Sequence, residues 1–155
     1  MTPENVQDYP RPPALEPVPQ RLRVELGGQV IAETTRGVRV LETHHAPTYY
    51  LPLADVAEGV LRPAAGRSYC EWIGSAHYYD VSAGGVIARR AAWGYATPTR
   101  DFAALKDTVA FYVTQMGACW VGDLRATAQP GSFYGGWVTP NLSGIVKGAP
   151  GTEGW

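Results

Sequence analysis

The sequence predicts a mainly β protein, built as a single curved antiparallel sheet or an open barrel with one or two short helices. Apolar and polar residues alternate with period two over several short segments, and glycine pairs stand where a hairpin needs a tight turn. Segments with helical spacing of apolar residues are few and short. The 155 residues suffice for one domain that buries about two thirds of its unfolded surface, so folding needs neither a metal nor a disulfide.

The first predicted strands form a hairpin. Residues 21–26 alternate charged and apolar side chains, Gly27-Gly28 supplies the turn, and residues 29–35 return as a second strand. After a further glycine, residues 38–43 are predicted as a third strand. The segment 52–61 has apolar residues at helical spacing and opens with proline, which a first helical turn tolerates. It is therefore predicted as a short helix.

The middle of the chain returns to the strand pattern. Residues 68–73 and 76–81 are predicted as strands, and Gly84-Gly85 turns the second of them into a strand over 86–90. These segments are expected to continue the sheet.

The last regular elements come before residue 130. Residues 102–107 are predicted as one or two helical turns, and residues 108–112 and 118–121 as strands. Beyond Pro130, glycine and proline recur too often for a regular element to be predicted.

The ends of the chain differ from its middle. Residues 2–20 contain six of the thirteen prolines, which favours an extended arm over a strand inside a sheet. We therefore expect a proline-rich arm over 1–20 and a single β-rich domain over 21–155. In that division, the segment from about residue 129 is a glycine- and aromatic-rich extension that forms a wall of the domain. Phe133, Tyr134, Trp137 and Trp155 are its apolar side chains.

Several aromatic blocks in fixed order resemble a known family, the domain of unknown function 427. The blocks are Arg39-Val40-Leu41-Glu42-Thr43, Tyr49-Tyr50-Leu51-Pro52, Cys70-Glu71-Trp72, Ala92-Trp93 with Tyr95, and Ala110-Phe111-Tyr112. The resemblance covers about residues 21–125, and the ending from residue 129 is similar to an extension that a subset of the family carries.

The resemblance implies a small tent-like β fold, similar in outline to methionine sulfoxide reductase B. The family that the chain resembles has sometimes been labelled nucleotidyltransferase-like, without an established reaction. Two positions depart from the family pattern: Ile73 stands where relatives commonly have lysine, and His44-His45 stands where they often have Ser-Pro. The first departure argues against a catalytic lysine at that position.

Charge and cysteine content narrow the functional classes. A net charge of −1 favours neither nucleic acid nor an anionic membrane as a partner, and no apolar run reaches the ~18 residues that cross a bilayer. With only Cys70 and Cys119, the chain lacks paired Cys-x-x-Cys motifs for zinc. The sequence predicts a cytoplasmic protein without a metal or other cofactor, and leaves the oligomeric state open.

Charged residues supply the first candidates for a site. Arg39, Glu42 and Asp55 lie near predicted strand ends and would form a ligand clamp or an acid/base pair if the fold joined them. A structural ion pair is the commoner role for such residues. Lys147, followed by glycine, resembles part of a phosphate-binding loop, although the Ser or Thr of that motif is missing. His77 is a further ligand candidate, but adjacent histidines at 44 and 45 make a poor metal site with it.

Aromatic side chains supply the second group of candidates. They would line a pocket at the mouth of a small barrel, although packing in the core is the commoner role for most of them. The aromatic candidates are Tyr50, Trp72, Tyr79, Trp93, Tyr95, Tyr112, Tyr134 and Trp137.

These observations predict a protein that binds a small molecule in an aromatic-lined pocket. Two alternatives stay open: an enzyme that acts on a nucleotide or a phosphorylated metabolite, and a protein-interaction module. The sequence assigns no reaction and no catalytic residue.

Overall fold

The computed structural model describes residues 1–131 and 134–152, and it is mainly β. Within this part of the chain, fifteen strands form two main sheets and two short strand pairs, and none of the sheets closes into a barrel. Helical structure there is confined to short 3₁₀ turns, which are Val6–Asp8, Leu53–Asp55, Arg100–Leu105 and Val113–Gln115.

The larger of the main sheets, here called the large sheet, is antiparallel. Its strands in spatial order are β2 (Ala14–Val18), β5 (Gly37–Leu41), β6 (Thr48–Pro52), β10 (Thr108–Phe111), β9 (Val86–Gly94), β8 (Gly74–Ala83) and β7 (Leu61–Cys70).

The second main sheet, here called the small sheet, contains the first predicted hairpin. Its strands in spatial order are β12 (Leu124–Arg125), β11 (Ala118–Val121), β3 (Leu22–Leu26) and β4 (Gln29–Thr34).

Two short strand pairs lie outside the main sheets. In one of them, β1 (Glu4–Asn5) runs parallel to β15 (Leu142–Ser143). In the other, β13 (Thr127–Ala128) is antiparallel to β14 (Trp137–Val138). The first pair joins segments from opposite ends of the sequence.

Two apolar clusters lie on opposite faces of the large sheet. One fills the space against the small sheet and includes Leu22, Tyr49 and Phe111. The other covers the opposite face and includes Tyr50 and Trp93. Because successive strand residues point to opposite faces, the neighbours Tyr49 and Tyr50 belong to different clusters. The aromatic residues are thereby divided between two cores.

Several sequence predictions need correction. The predicted helix over 52–61 is only the turn Leu53–Asp55, because Thr48–Pro52 continues the large sheet and Val56 bridges to Ala32. The strand predicted over 68–73 is the end of a longer strand, Leu61–Cys70. Its proline is compatible with its position at the edge of the sheet.

The proline-rich arm contributes an edge strand. Residues Ala14–Val18 pair with Gly37–Leu41 along five positions, and proline is tolerated there because one side of an edge strand needs no partner. The division into an arm over 1–20 and a domain over 21–155 stays a prediction.

The C-terminal segment packs on the large sheet through Trp137. This side chain is fully buried against Tyr49, with ring centroids 5.1 Å apart, and its indole N–H donates to the Phe111 carbonyl at 3.2 Å. Phe133 and Trp155, which were predicted to pack with it, lie outside the described residues. Among those described, no helix has the length and apolar character that crossing a membrane requires.

Candidate functional site

Arg39, the first charged candidate, is buried within an ion-pair network. Its guanidinium lies 3.1 Å from Glu4 and 2.5 Å from Glu16, and also donates to the Tyr49 hydroxyl at 3.4 Å. Both carboxylates come from the N-terminal arm, so the network fastens the arm to strand β5. Burial also raises the pKa of Tyr49, which keeps that phenol neutral beside the arginine.

Asp55 and Glu42 lie in other surroundings. Asp55 accepts a hydrogen bond from Thr34 at 2.6 Å and pairs with Arg36 at 2.9 Å, and these two partners lower its pKa. Glu42 pairs with Arg11 at 3.2 Å. The structure therefore does not join the three charged candidates in one clamp.

The aromatic candidates on the second cluster pack mainly against one another. Trp93 is 7% exposed, and its ring centroid lies 6.3 Å from Tyr50 and 4.5 Å from Tyr112. Burial raises the pKa of Tyr95 and that of Tyr112 to about 12. Trp72 is half-buried at the margin of the same cluster. The phenols of Tyr95 and Tyr112 are therefore neutral at physiological pH, as expected for side chains in a packed core.

His77 and Tyr79 form a local pair on strand β8. The imidazole Nε2 lies 2.9 Å from the Tyr79 hydroxyl, and the two rings meet edge to face. Burial and the nearby Arg67 lower the pKa of His77. Cys70 lies opposite Gly74 in this hairpin, whereas His77 lies opposite Arg67, so strand pairing does not place the thiol across from the imidazole.

A cavity of about 250 Å³ brings together other residues. It lies where the loop between β5 and β6 meets one residue of the N-terminal arm and one of the C-terminal segment. Its lining residues are Arg11, Thr43, His44, His45 and Lys147. Three distant parts of the sequence thus form one surface.

Backbone hydrogen bonds fix the position of Lys147 at this cavity. Its amide N–H donates to the His44 carbonyl at 2.7 Å, and its own carbonyl accepts from the Gln129 side chain at 2.9 Å. The other end of the Gln129 amide accepts from the Ala46 N–H at 3.0 Å. Gln129 is 2% exposed, and so a buried amide joins the loop to the C-terminal segment.

The two histidines are held by backbone carbonyl groups. The Nδ1 atom of His44 lies 3.2 Å from the Ile145 oxygen, and that of His45 lies 3.0 Å from the Thr43 oxygen. Because a carbonyl oxygen only accepts, we assign a proton to Nδ1 in both rings. His44 also has a φ of 63°, a left-handed conformation that is uncommon outside glycine and asparagine.

The charges around the cavity are mainly positive. Glu42 pairs with Arg11 and lies 3.9 Å from His45, so it offsets part of the positive charge. The Lys147 ammonium lies 5.7 Å from the centre of the Tyr134 ring, which also meets His45 edge to face at 5.5 Å. Tyr134 therefore provides an aromatic surface next to two basic side chains.

The glycine-rich ending does not use its backbone as a phosphate-binding loop would. The N–H of Gly148 donates to the Thr152 hydroxyl at 3.0 Å, and that of Ala149 to the Val146 carbonyl at 3.2 Å. The Lys147 N–H is also used within the protein. Amides with partners of this kind are not free to cradle a phosphate. Lys147 therefore offers a ligand its side-chain ammonium and not its backbone N–H.

Sequence reasoning found some of these residues and missed others. It singled out Lys147, Tyr134 and Glu42, but it considered the two cavity histidines only as metal ligands. Arg11 was assigned to the arm without a site, and Gln129 was not considered. A usable signal was the His44-His45 pair itself, which departs from the family pattern.

In the described part of the chain, the possible metal ligands are not grouped into a metal centre, and the two cysteines form no disulfide. No group of three or more His, Cys, Asp or Glu side chains there is arranged to hold a metal ion. Cys70 and Cys119 are both free thiols. Burial raises the pKa of Cys119 to about 12, which disfavours the thiolate.

Comparison with known proteins assigns the chain to a family, and the match covers only part of the cavity. A search of curated proteins found no match. A family model described as Domain of unknown function (DUF427) matches residues 14–122. This range includes the loop with His44 and His45, whereas Arg11 and Lys147 lie outside it. Since the match covers more than half of the sequence, the chain belongs to the DUF427 family.

Proposed function

We propose that the protein binds a small anionic molecule, a carboxylate or a phosphate monoester, in the cavity lined by Arg11 and Lys147. The observation that carries the proposal is the convergence of basic side chains on one small cavity. The chain has only two lysines and three histidines, and one lysine and two histidines line this cavity.

The arrangement suits an anion because the basic groups are already in place. Guanidinium and ammonium groups donate charge-assisted hydrogen bonds, which are stronger than bonds between neutral groups. The backbone of Lys147 is fixed at both its N–H and its carbonyl, and the loop that carries the histidines is fixed through Gln129. A ligand would then bind without first ordering these segments, which reduces the entropic cost of binding.

The cavity size favours a small ligand. Sites for drug-sized molecules usually occupy about 300–1,000 Å³, and this cavity has about 250 Å³. The Tyr134 ring contacts two of the lining residues, His45 and Lys147. The predicted aromatic-lined pocket is thus proposed here in a narrower form, with Tyr134 packed behind two of the lining side chains. Ligand binding by the other aromatic candidates stays a prediction.

The proposed site of action is the cytoplasm. The two thiols are free, and a reducing compartment preserves cysteine in that form.

Thermal unfolding with matched ligands tests the proposal. Glycerol 3-phosphate, glycerol, succinate and succinamide separate the phosphate, the carboxylate and their neutral counterparts. At a concentration about 100 times Kd, an anion that binds only the folded state stabilises it by about 2.7 kcal/mol. For a chain of this length we expect Tm to rise by roughly 5–10 °C with at least one anion, and by nothing with its neutral counterpart.

Lys147→Gln should remove this response, whereas Lys106→Gln should preserve it. Lys106 is exposed and does not line the cavity, so it is the matched control for loss of one ammonium group. Equal stabilisation by anions and neutral counterparts would contradict the proposal. So would an anion response that both lysine variants retain.

A further inference from the structure

A second and larger cavity lies against the small sheet, apart from the first. It has a volume of about 450 Å³, within the range usual for small-molecule sites. Its lining residues are Arg21, Arg23, Thr35, Trp120, Gly122 and Asp123. None of them lines the cavity beside Lys147.

Trp120 gives this cavity a fixed aromatic wall. Its indole N–H donates to Glu25 at 2.7 Å, which sets the orientation of the half-buried ring on strand β11. The guanidinium groups of Arg23 and Arg125 lie 5.3 and 5.9 Å from the ring centre. Arg125 is in turn held by the Gly117 carbonyl at 3.0 Å. Both the indole and the planes of the guanidinium groups are surfaces on which a flat ring can stack.

Arg23 retains unused bonding capacity. Its Nε lies 3.3 Å from a Glu25 carboxylate oxygen that also accepts a hydrogen bond from the Trp120 indole. Within the described part of the chain, the buried Arg23 Nε makes no hydrogen bond. A charged donor that lacks a bond in the apo protein gains from a ligand that reorients the guanidinium.

Arg21 is placed at the same cavity by the neighbouring turn. Its carbonyl accepts from the Gly122 N–H at 2.7 Å, which joins strand β3 to the turn between β11 and β12. Around Trp120, three arginines (Arg21, Arg23 and Arg125) stand against two carboxylates, Asp123 and Glu25. The local charge is positive although the chain as a whole carries −1.

From this combination we propose a second ligand site, for a planar aromatic molecule that carries an anionic group. The ring stacks on Trp120, and Arg21 and Arg23 bind the phosphate or carboxylate. The inference does not rest on the function proposed for the first cavity, since the two sites share no lining residue.

Isothermal titration calorimetry with a complete ligand and with its separate parts tests the two elements of the proposal, the stacked ring and the bound anion. Adenosine monophosphate supplies a ring and a phosphate, adenosine supplies only the ring system, and ribose 5-phosphate supplies only the anion. A second probe, 2-naphthoate, replaces the phosphate with a carboxylate. We expect adenosine monophosphate or 2-naphthoate to bind saturably, and the complete ligand to bind at least about tenfold more tightly than either part.

Variants assign the binding to this cavity. Arg21→Gln should weaken binding of the complete ligand about tenfold, and Arg62→Gln, at an exposed position on strand β7, should leave it unchanged. Trp120→Phe should retain binding of the complete ligand. Trp120→Leu should lower the affinity for adenosine monophosphate to the affinity for ribose 5-phosphate. Arg21 is exposed, so its variant tests the site even if Trp120→Leu fails to fold.

Three outcomes would overturn the inference. One is the lack of saturable binding by both complete ligands at millimolar concentration. Another is equal affinity for adenosine monophosphate and ribose 5-phosphate. The third is loss of binding in Lys147→Gln but not in Arg21→Gln, which would place the ligand in the first cavity and leave the proposed function standing.

Discussion

Gly135 lies directly against the indole of Trp93, so closely that a Cβ atom on residue 135 would overlap Trp93 Cη2. The C-terminal segment can therefore cross the large sheet at this point only because residue 135 has no side chain. The contact links the extension to an aromatic cluster that lies inside the DUF427 match.

Gly135→Ala should destabilise the protein by about 1–3 kcal/mol, the usual range for overpacking. For a chain of this size the corresponding fall in Tm is roughly 2–4 °C for each kcal/mol. Gly85→Ala is a useful comparison because that glycine has a φ of 81° and no atom near its Cβ position. Gly85→Ala should therefore destabilise the protein only through the strain of a positive φ, without overpacking. A Tm for Gly135→Ala equal to that of the unmodified protein would show that the segment does not pack on Trp93.

Arg39→Met should destabilise the protein by about 1–3 kcal/mol, because it removes the charge-assisted hydrogen bonds that Arg39 donates to Glu4 and Glu16. Arg39 is 8% exposed and contacts Glu4 and Glu16 of the arm. Hydrogen exchange should rise across residues 4–18 in the variant. Arg36→Met is the control, since Arg36 is largely exposed in its pair with Asp55 and such pairs contribute about 0–1 kcal/mol. Similar unfolding free energies for the two variants would argue against the buried network.

The lowered pKa of His77 predicts a pH dependence of stability. Near the ordinary pKa of 6.5, the unfolded chain binds more protons at this position than the folded chain does. The free energy of unfolding should therefore fall as pH drops below about 6.5. The lowered pKa of Asp55 also contributes to stability, but this contribution is lost only at more acidic pH, below the ordinary carboxyl pKa of 3.8.

His77→Gln should reduce this slope and preserve a polar partner for Tyr79. Urea unfolding at about pH 7.5 and about pH 5.5 measures the slope across the range in which histidine titrates. An identical slope in the protein with and without His77 would contradict the assignment.

The two thiols should differ in reactivity toward an aromatic disulfide reagent. Cys119 is fully buried, with a pKa raised to about 12, so it should react only after unfolding. Cys70 is half-buried and should account for the thiol that reacts in the folded protein. The folded Cys70→Ser variant should then show no fast phase in its reaction with the disulfide reagent. Rapid reaction of two thiols in the folded protein would show that the core around Cys119 opens.

Local patterns were sufficient to predict the strands that begin or end at glycine pairs. The hairpins around Gly27-Gly28 and Gly84-Gly85 follow from strand-like segments joined by glycine turns, and turn chemistry is short-range. The strand Thr48–Pro52 was missed because both of its faces are covered, so its residues do not alternate in polarity.

Long-range pairing could not be predicted in the same way. The arm strand Ala14–Val18 contains Pro17 and is flanked by Pro13 and Pro19, and only its pairing with Gly37–Leu41 makes it regular. The same limit applies to the cavity. Arg11 and Lys147 carry no local mark of a shared site, since the fold alone brings them to one loop.

The cavity beside Lys147 has a kinetic consequence that follows from where its walls lie in the sequence. Arg11 and Lys147 come from segments near opposite ends of the described chain, where β1 pairs with β15. Closing so long a loop costs entropy that only a nearly complete fold repays, so we expect these contacts to be absent from the folding transition state. A ligand that bridges them would then slow unfolding while leaving the folding rate almost unchanged.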